Sequence, residues 1–224
     1  MKNDFTITNL FSCPIYKIKI DPNSYDKEKI LKDIKYNKSL KNTRNNMQYN
    51  FDNCDIHHSY RDFDNEDFRI INYEKLMAVY QEIFQIFFNE ELSSIKQFNW
   101  KFEIVNYSAI TEGQWFPSHT HIVESDFATV HYLNFKDDHK LTRFNNPATF
   151  AHYMGAIRPE LYNVVNDMTI NNSYMYEFFD MPVEEDDILI FPSVLNHEIL
   201  SQGPTEEPRI TISTNLEVLL EKCK

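Results

Sequence analysis

The chain has 224 residues, a length that fits one large domain and is enough to bury a core. Its formal net charge of −12 argues against a nucleic-acid or anionic-membrane surface, because phosphate binding relies on basic patches. Three glycines cannot furnish a Gly-rich phosphate loop, while 18 Phe and 13 Tyr suit a β-rich interior.

The opening Met1-Lys-Asn-Asp-Phe lacks the apolar run of a signal peptide, and no stretch reaches transmembrane length. Cys13, Cys54 and Cys223 are odd in number and widely spaced, so no disulfide framework or CxxC metal site is expected. The expected setting is soluble, reducing and cytoplasmic.

Residues 5–20 read as a strand broken by Pro14. Tyr25 to Tyr36 has helical spacing, with Ile30, Leu31 and Ile34 on one side. Residues 37–70 are polar and Asn-rich and read as loops with short elements. Tyr73 to Leu92 gives the clearest helix. Leu76, Val79, Tyr80, Ile83, Phe84 and Phe87 recur at three- and four-residue steps and predict one buried face against a sheet.

From Phe98 onward short β runs take over. Phe98 to Tyr107 alternates, Ala128 to Phe135 favours a strand, Asp187 to Phe191 reads as a short buried strand, and Arg209 to Thr214 alternates cleanly. Residues 136–172 read as a long irregular insertion of the lid or binding-loop kind. The fold class expected is α+β, mainly β. One domain spans 1–224, with a strand and supporting helices in 1–97 and a β-sandwich or barrel in 98–217.

Two segments carry the chemistry: Gly113-Gln-Trp-Phe-Pro-Ser-His119-Thr-His121, and Phe191-Pro-Ser-Val-Leu-Asn-His197. In an extended strand residues i and i+2 share a face, so His119 and His121 can aim at one point. If the strand bearing His197 lies alongside, three imidazoles converge and leave the far side of a metal open for catalysis. An HxH pair alone is weak evidence, and chance spacing among eight histidines competes with it. His57, His58, His139 and His152 have no usable partner spacing, and His131 reads as a packed or exposed residue. Trp115 and Phe116 flank the site as core or substrate wall.

Arg209, Thr211 and Ser213 share one strand face, opposite Ile210 and Ile212. An inward-facing arginine needs an anion, and a bound carboxylate would supply one through a bidentate fork. The alternative is a surface pair with Glu198, Glu206 or Glu207.

The run from Val105-Asn-Tyr107 through His119-Thr-His121, then Val130-His-Tyr132-Leu-Asn134, then Asp187 to His197, then Arg209-Ile-Thr211, resembles the Fe(II)/2-oxoglutarate-dependent oxygenases. More narrowly it is similar to a phage and marine-bacterial group with a prolyl-hydroxylase-like core. The resemblance covers roughly residues 98–217, and Leu10-Phe-Ser-Cys-Pro-Ile-Tyr looks like that group's opening. It implies a double-stranded β-helix (jelly roll) with N-terminal helices packed on one sheet. It also implies Fe(II) as cofactor, 2-oxoglutarate and dioxygen as co-substrates, and hydroxylation of a peptidyl or small-molecule substrate. His119 and His197 would be the first and last ligands. His121 stands where most of the superfamily has a carboxylate, a departure from the usual 2-His-1-carboxylate triad. Three arrangements are open: His121 ligates, Glu124 or Asp126 supplies a carboxylate, or water or an anion fills the position. The resemblance also assigns Arg209 to the distal carboxylate of 2-oxoglutarate, with Thr211 beside it. Tyr107 is a further donor or else a core tyrosine, and Tyr132 and Asn134 line the pocket.

Two rivals stand against this reading. One is a cupin-like three-histidine enzyme without 2-oxoglutarate. Gly113 and the HxH fit a cupin opening, but Glu124 falls one residue short and Val194 replaces a glycine. The other is a non-catalytic phage interaction domain with a degenerate site.

Overall fold

The computed structural model describes residues 13–40, 56–59, 66–93, 98–123, 125–147 and 178–220. Two antiparallel sheets and two helices make up the described chain, which is mainly β. The helices are α1 (Lys27–Ser39) and α2 (Glu74–Glu91). The strands are β1 (Tyr16–Lys19), β2 (His57–His58), β3 (Phe98–Ile110), β4 (Phe116–His119), β5 (Phe127–Asn134), β6 (Thr142–Asn145), β7 (Phe178–Asp180), β8 (Asp187–Pro192), β9 (His197–Ile199) and β10 (Arg209–Leu220). Six strands form one sheet in the order β1-β8-β5-β10-β3-β2, and four form a second in the order β4-β9-β6-β7.

Period-two alternation divides the large sheet into two faces. Ile210, Ile212, Leu133, Ile188 and Ile190 turn toward the helices and join Leu76, Tyr80, Phe84, Phe87 and Phe88 of α2 in one core. Ala128, Val130, Tyr132, Leu189 and Phe191 turn the other way and pack with Phe144 of the small sheet. The helices therefore back one face of the large sheet, and the small sheet shares an apolar cluster with the other. Aromatic edges lock the helix side. Phe84 meets Phe102 at 5.2 Å, Phe87 meets Phe127 at 5.1 Å and Phe88 meets Trp100 at 5.1 Å between ring centroids.

Several expectations change. The insertion read over 136–172 contains a real strand, β6, whose four residues are too few to register as a period; residues 148–172 lie outside the described residues. The predicted opening strand is described only from residue 13, with β1 at Tyr16–Lys19, so the first three residues of the Leu10 motif lie outside the described residues. Among the described residues no helix is long and apolar enough to cross a membrane.

A buried polar knot ties α1 to the β8 turn. Asp186, at φ 66°, accepts from Lys27 Nζ at 2.6 Å and from the Tyr25 hydroxyl at 2.9 Å. Lys27 also reaches Glu185 at 2.7 Å, and His131 Nε2 lies 3.9 Å from the Asp186 carboxylate. Burial alone would raise the Asp186 carboxyl, but His131, Lys27 and Tyr25 together outweigh it and hold it below its usual range. A depressed carboxyl contributes stability above its unfolded value, near pH 4, and loses it as pH falls through the lower folded value.

Two measurements follow from this packing. Phe84→Ala removes a fully buried ring from the α2 face and is expected to cost about 3–5 kcal/mol in urea unfolding. Asp186→Asn is expected to cost about 1–3 kcal/mol at pH 7, with the gap to wild type closing by about pH 2. A pH-independent gap would show that the carboxylate's charge contributes nothing.

Candidate active site

β4 and β9 are neighbours, and their register sets His119 directly opposite His197. The two ring centroids are 4.2 Å apart. His197 also pairs across with Phe144 of β6, so all three project from one row of the small sheet. The step from His119 to His121 is not extended strand as the HxH spacing suggested. β4 ends at His119, and the His121 N–H donates to the Ser193 carbonyl at 2.9 Å. That bond ties His121 to the turn ahead of His197 and lays its ring parallel to the His197 ring, at 5.4 Å and 7°. The three residues each offer a ligand atom within 4.8 Å of the others.

Hydrogen bonds decide which nitrogen each ring offers. His119 Nδ1 lies 2.8 Å from the Pro117 carbonyl, and His197 Nδ1 lies 3.0 Å from the Leu195 carbonyl. His121 Nδ1 lies 3.1 Å from Asn215 Oδ1. Each acceptor has no proton to give, so in the neutral ring each Nδ1 carries the hydrogen and Nε2 is the nitrogen able to ligate a metal. Burial holds His197 well below the usual histidine range, and the proximity of His119 and His121 adds to this against the Leu195 carbonyl. A neutral ring is the form that ligates. Three imidazoles with the distal nitrogens unprotonated fit a first-row divalent ion such as iron.

No carboxylate among the described residues joins this cluster. The Asp126 carboxylate, an alternative for the second position, is exposed and accepts the Val218 N–H at 2.7 Å. Glu124 lies outside the described residues. Phe116 packs on the His119 ring at 4.8 Å, and Phe191 on His197 at 4.9 Å, forming a dry wall. Trp115 is instead 41% exposed, and Ile122, Val123 and Val194 beside the triad are also exposed.

Arg209 is completely buried. Its Nε donates to the Lys140 carbonyl and its Nη2 to Thr142 Oγ1, both at 3.0 Å, while Nη1 has no hydrogen-bond partner among the described residues. Thr142 also accepts the Tyr132 hydroxyl at 2.6 Å, and the guanidinium lies 5.2 Å from the Tyr132 ring centre. No carboxylate among the described residues pairs with it. Because Arg209 is fully buried, the alternative of a surface pair with Glu198, Glu206 or Glu207 does not hold, and Glu207 pairs with Lys35. Burial lowers the guanidinium from its ordinary range, Tyr132 partly offsets this, and the group stays protonated. Thr142 stands two residues along β6 from Phe144, His197's cross-strand neighbour, a step of about 7 Å.

The other expected residues fall differently. Thr211 faces inward and shares a hydrogen bond with Ser108 at 3.0 Å. Asn134 donates its amide to the Pro208 carbonyl at 2.7 Å, bracing the chain that leads into Arg209. Tyr107 does not face the site. Trp100, Phe102 and Ile104 pack on the helix side, so strict alternation would turn Tyr107 inward. A register shift between Ser213 and Thr214 leaves Val105 as an extra residue and reverses the parity. Tyr107 joins the helix-side core, with its hydroxyl 3.0 Å from His57 Nε2. Thr142, Phe144 and Asn215 were missed. Asn215 was the accessible one, because it continues the inward series 209, 211, 213.

Residues 107–215 match a family described as "Putative 2OG-Fe(II) oxygenase". Over this segment the chain resembles the 2OG-Fe(II) oxygenases. No curated protein matches the chain. Among solved structures it is similar to a 2OG-Fe(II) oxygenase family oxidoreductase from Burkholderia pseudomallei, at 7% identity and a TM-score of 0.42. That alignment covers 66% of this chain and 61% of the other, so the chain spans about three-fifths of that relative. A Pseudomonas putida prolyl-4-hydroxylase aligns at 10% identity over 92% of each chain, with a TM-score of 0.49. A viral collagen prolyl hydroxylase from Paramecium Bursaria Chlorella virus-1, solved with 2OG, aligns at 11% identity over 90% and 94%, with a TM-score of 0.48.

A buried guanidinium with no carboxylate partner among the described residues weakens a fold. Arg209→Met is therefore expected to leave unfolding stability unchanged or raise it by about 1–2 kcal/mol. A loss above about 2 kcal/mol in chemical denaturation would instead make Arg209 a structural residue.

Proposed function

We propose that the protein is an Fe(II)- and 2-oxoglutarate-dependent dioxygenase that hydroxylates a peptidyl or small organic substrate. The observation that carries the reading is the buried Arg209, with no partner for Nη1 and no paired carboxylate among the described residues, bonded to Thr142 of the same β6 strand whose Phe144 pairs with His197 of the converging imidazoles. The metal would be held by His119, His121 and His197. The catalytic core would be residues 98–217, a double-stranded β-helix built from the two sheets, with the segment 1–97 as its backing.

Bound iron and 2-oxoglutarate would supply the oxidising chemistry, coupling oxidative decarboxylation of the co-substrate to insertion of oxygen into a substrate C–H bond. The chain's own residues bind, orient and exclude water. Arg209 receives the distal carboxylate, with Thr211 beside it, and Thr142 and the Lys140 carbonyl hold the guanidinium in line. Tyr132 covers that fork and keeps it dry. Phe116, Phe144 and Phe191 wall the imidazoles, which lowers the local dielectric around them. Ile122, Val123 and Val194 form an apolar approach, suited to a substrate met through carbon rather than charge. Three neutral ligands leave the ion's full double charge, which favours a dianionic co-substrate.

The absence of a carboxylate among the described residues of the triad favours a second reading, a cupin-like three-histidine enzyme without 2-oxoglutarate. Arg209 discriminates between the two. Anaerobic visible absorption during addition of Fe(II), then 2-oxoglutarate, is expected to show a charge-transfer band that requires both and is absent in His197→Ala. Arg209→Ala is expected to weaken 2-oxoglutarate binding about 10–150-fold, with Fe(II) binding retained and no rescue by Arg209→Lys. Metal binding without any response to 2-oxoglutarate would favour the cupin-like enzyme, and no metal binding would leave an interaction domain.

A further inference from the structure

We propose that Asn215 is the positioning residue that makes His121 a metal ligand, and that its neutral amide does so without adding negative charge to the centre. This rests on the metal-centre reading above. The three histidines are not held alike. His119 and His197 each direct Nδ1 to a carbonyl two residues earlier in their own chain, Pro117 and Leu195. That contact is made by the local backbone rather than by a side chain. His121 lies past the end of β4, and its Nδ1 is met by the Asn215 amide oxygen of β10, at 3.1 Å.

Asn215 is nearly buried, at 5% exposure, and continues the inward face of β10 that begins at Arg209. An acceptor there fixes two things at once. It keeps the proton on Nδ1, so that Nε2 is the ligating atom, and it fixes the ring's rotation. Without it the proton can sit on Nε2 and block ligation. Aspartate at 215 would be nearly isosteric and would also accept, but its charge would raise ligand basicity and partly neutralise the ion. Asparagine therefore supplies direction without charge.

The test uses the full chain and Co(II), titrated without turnover and followed by calorimetry and visible absorption. Asn215→Leu is expected to bind Co(II) about 10–100-fold more weakly than wild type, with an altered ligand-field spectrum. Asn215→Asp is expected to bind Co(II) more tightly than wild type. Thermal melts followed by circular dichroism establish that each variant is folded. Wild-type affinity in Asn215→Leu, or weakened binding in Asn215→Asp, would overturn the proposal. If Asn215→Leu does not fold, Asn215→Asp decides alone: tighter binding supports the role, and equal or weaker binding ends it. The underlying reading fails separately, and takes this one with it, if the wild type binds no Co(II) or if His197→Ala binds it equally well.

Discussion

The register of β10 is the constraint on which the rest depends. It is flanked by β3 on one side and β5 on the other, and its alternate residues serve two unlike environments. Ile210, Ile212 and Leu216 complete the core beneath the helices, while Arg209, Thr211 and Asn215 face the small sheet. A slip of one residue would exchange the two sets, placing a guanidinium in an aromatic core and isoleucines in the pocket. Pairing along both edges makes that slip prohibitive. One rigid strand thus sets the spacing between the arginine and the acceptor that orients His121.

The inward face does not maximise stability. It gathers an unpaired guanidinium donor and three close imidazoles, one of them strongly disfavoured from protonating by burial. Groups of this kind weaken a fold unless something else compensates. The compensation lies on the opposite face of the same sheet. There α2 contributes Leu76, Tyr80, Phe84, Phe87 and Phe88, and the Lys27–Asp186 knot anchors α1 to the turn before β8. Separating the two tasks by the thickness of one sheet lets the helix side be packed for stability without disturbing polar geometry.

Long, strongly periodic elements were legible in the sequence because their pattern is their packing. The spacing of Leu76, Tyr80 and Phe84 announced α2, and the alternation from Arg209 announced β10. His119 and His197 were legible as partners because chemistry narrowed the choice. Tyr107, open in sequence between a pocket donor and a core tyrosine, lies in the core because a single extra residue, Val105, reverses every later face of β3, and composition gives no sign of a bulge. β6 escaped notice for the opposite reason: Thr142 to Asn145 is defined by its neighbours β7 and β9 rather than by its own period.

The charge of the site stands in contrast to that of the chain. A protein of net charge −12 presents an acidic exterior to any anion. Within it, the buried Arg209 and the three imidazoles gather no carboxylate among the described residues. At ordinary ionic strength the outer charges are screened within about 8–10 Å, whereas groups enclosed between the sheets are screened far less. The local field therefore governs what binds, and its sign is set by a few residues rather than by composition. On the proposed reading, His121 and Asn215 leave the ion's positive charge undiminished, because neither brings a carboxylate to it.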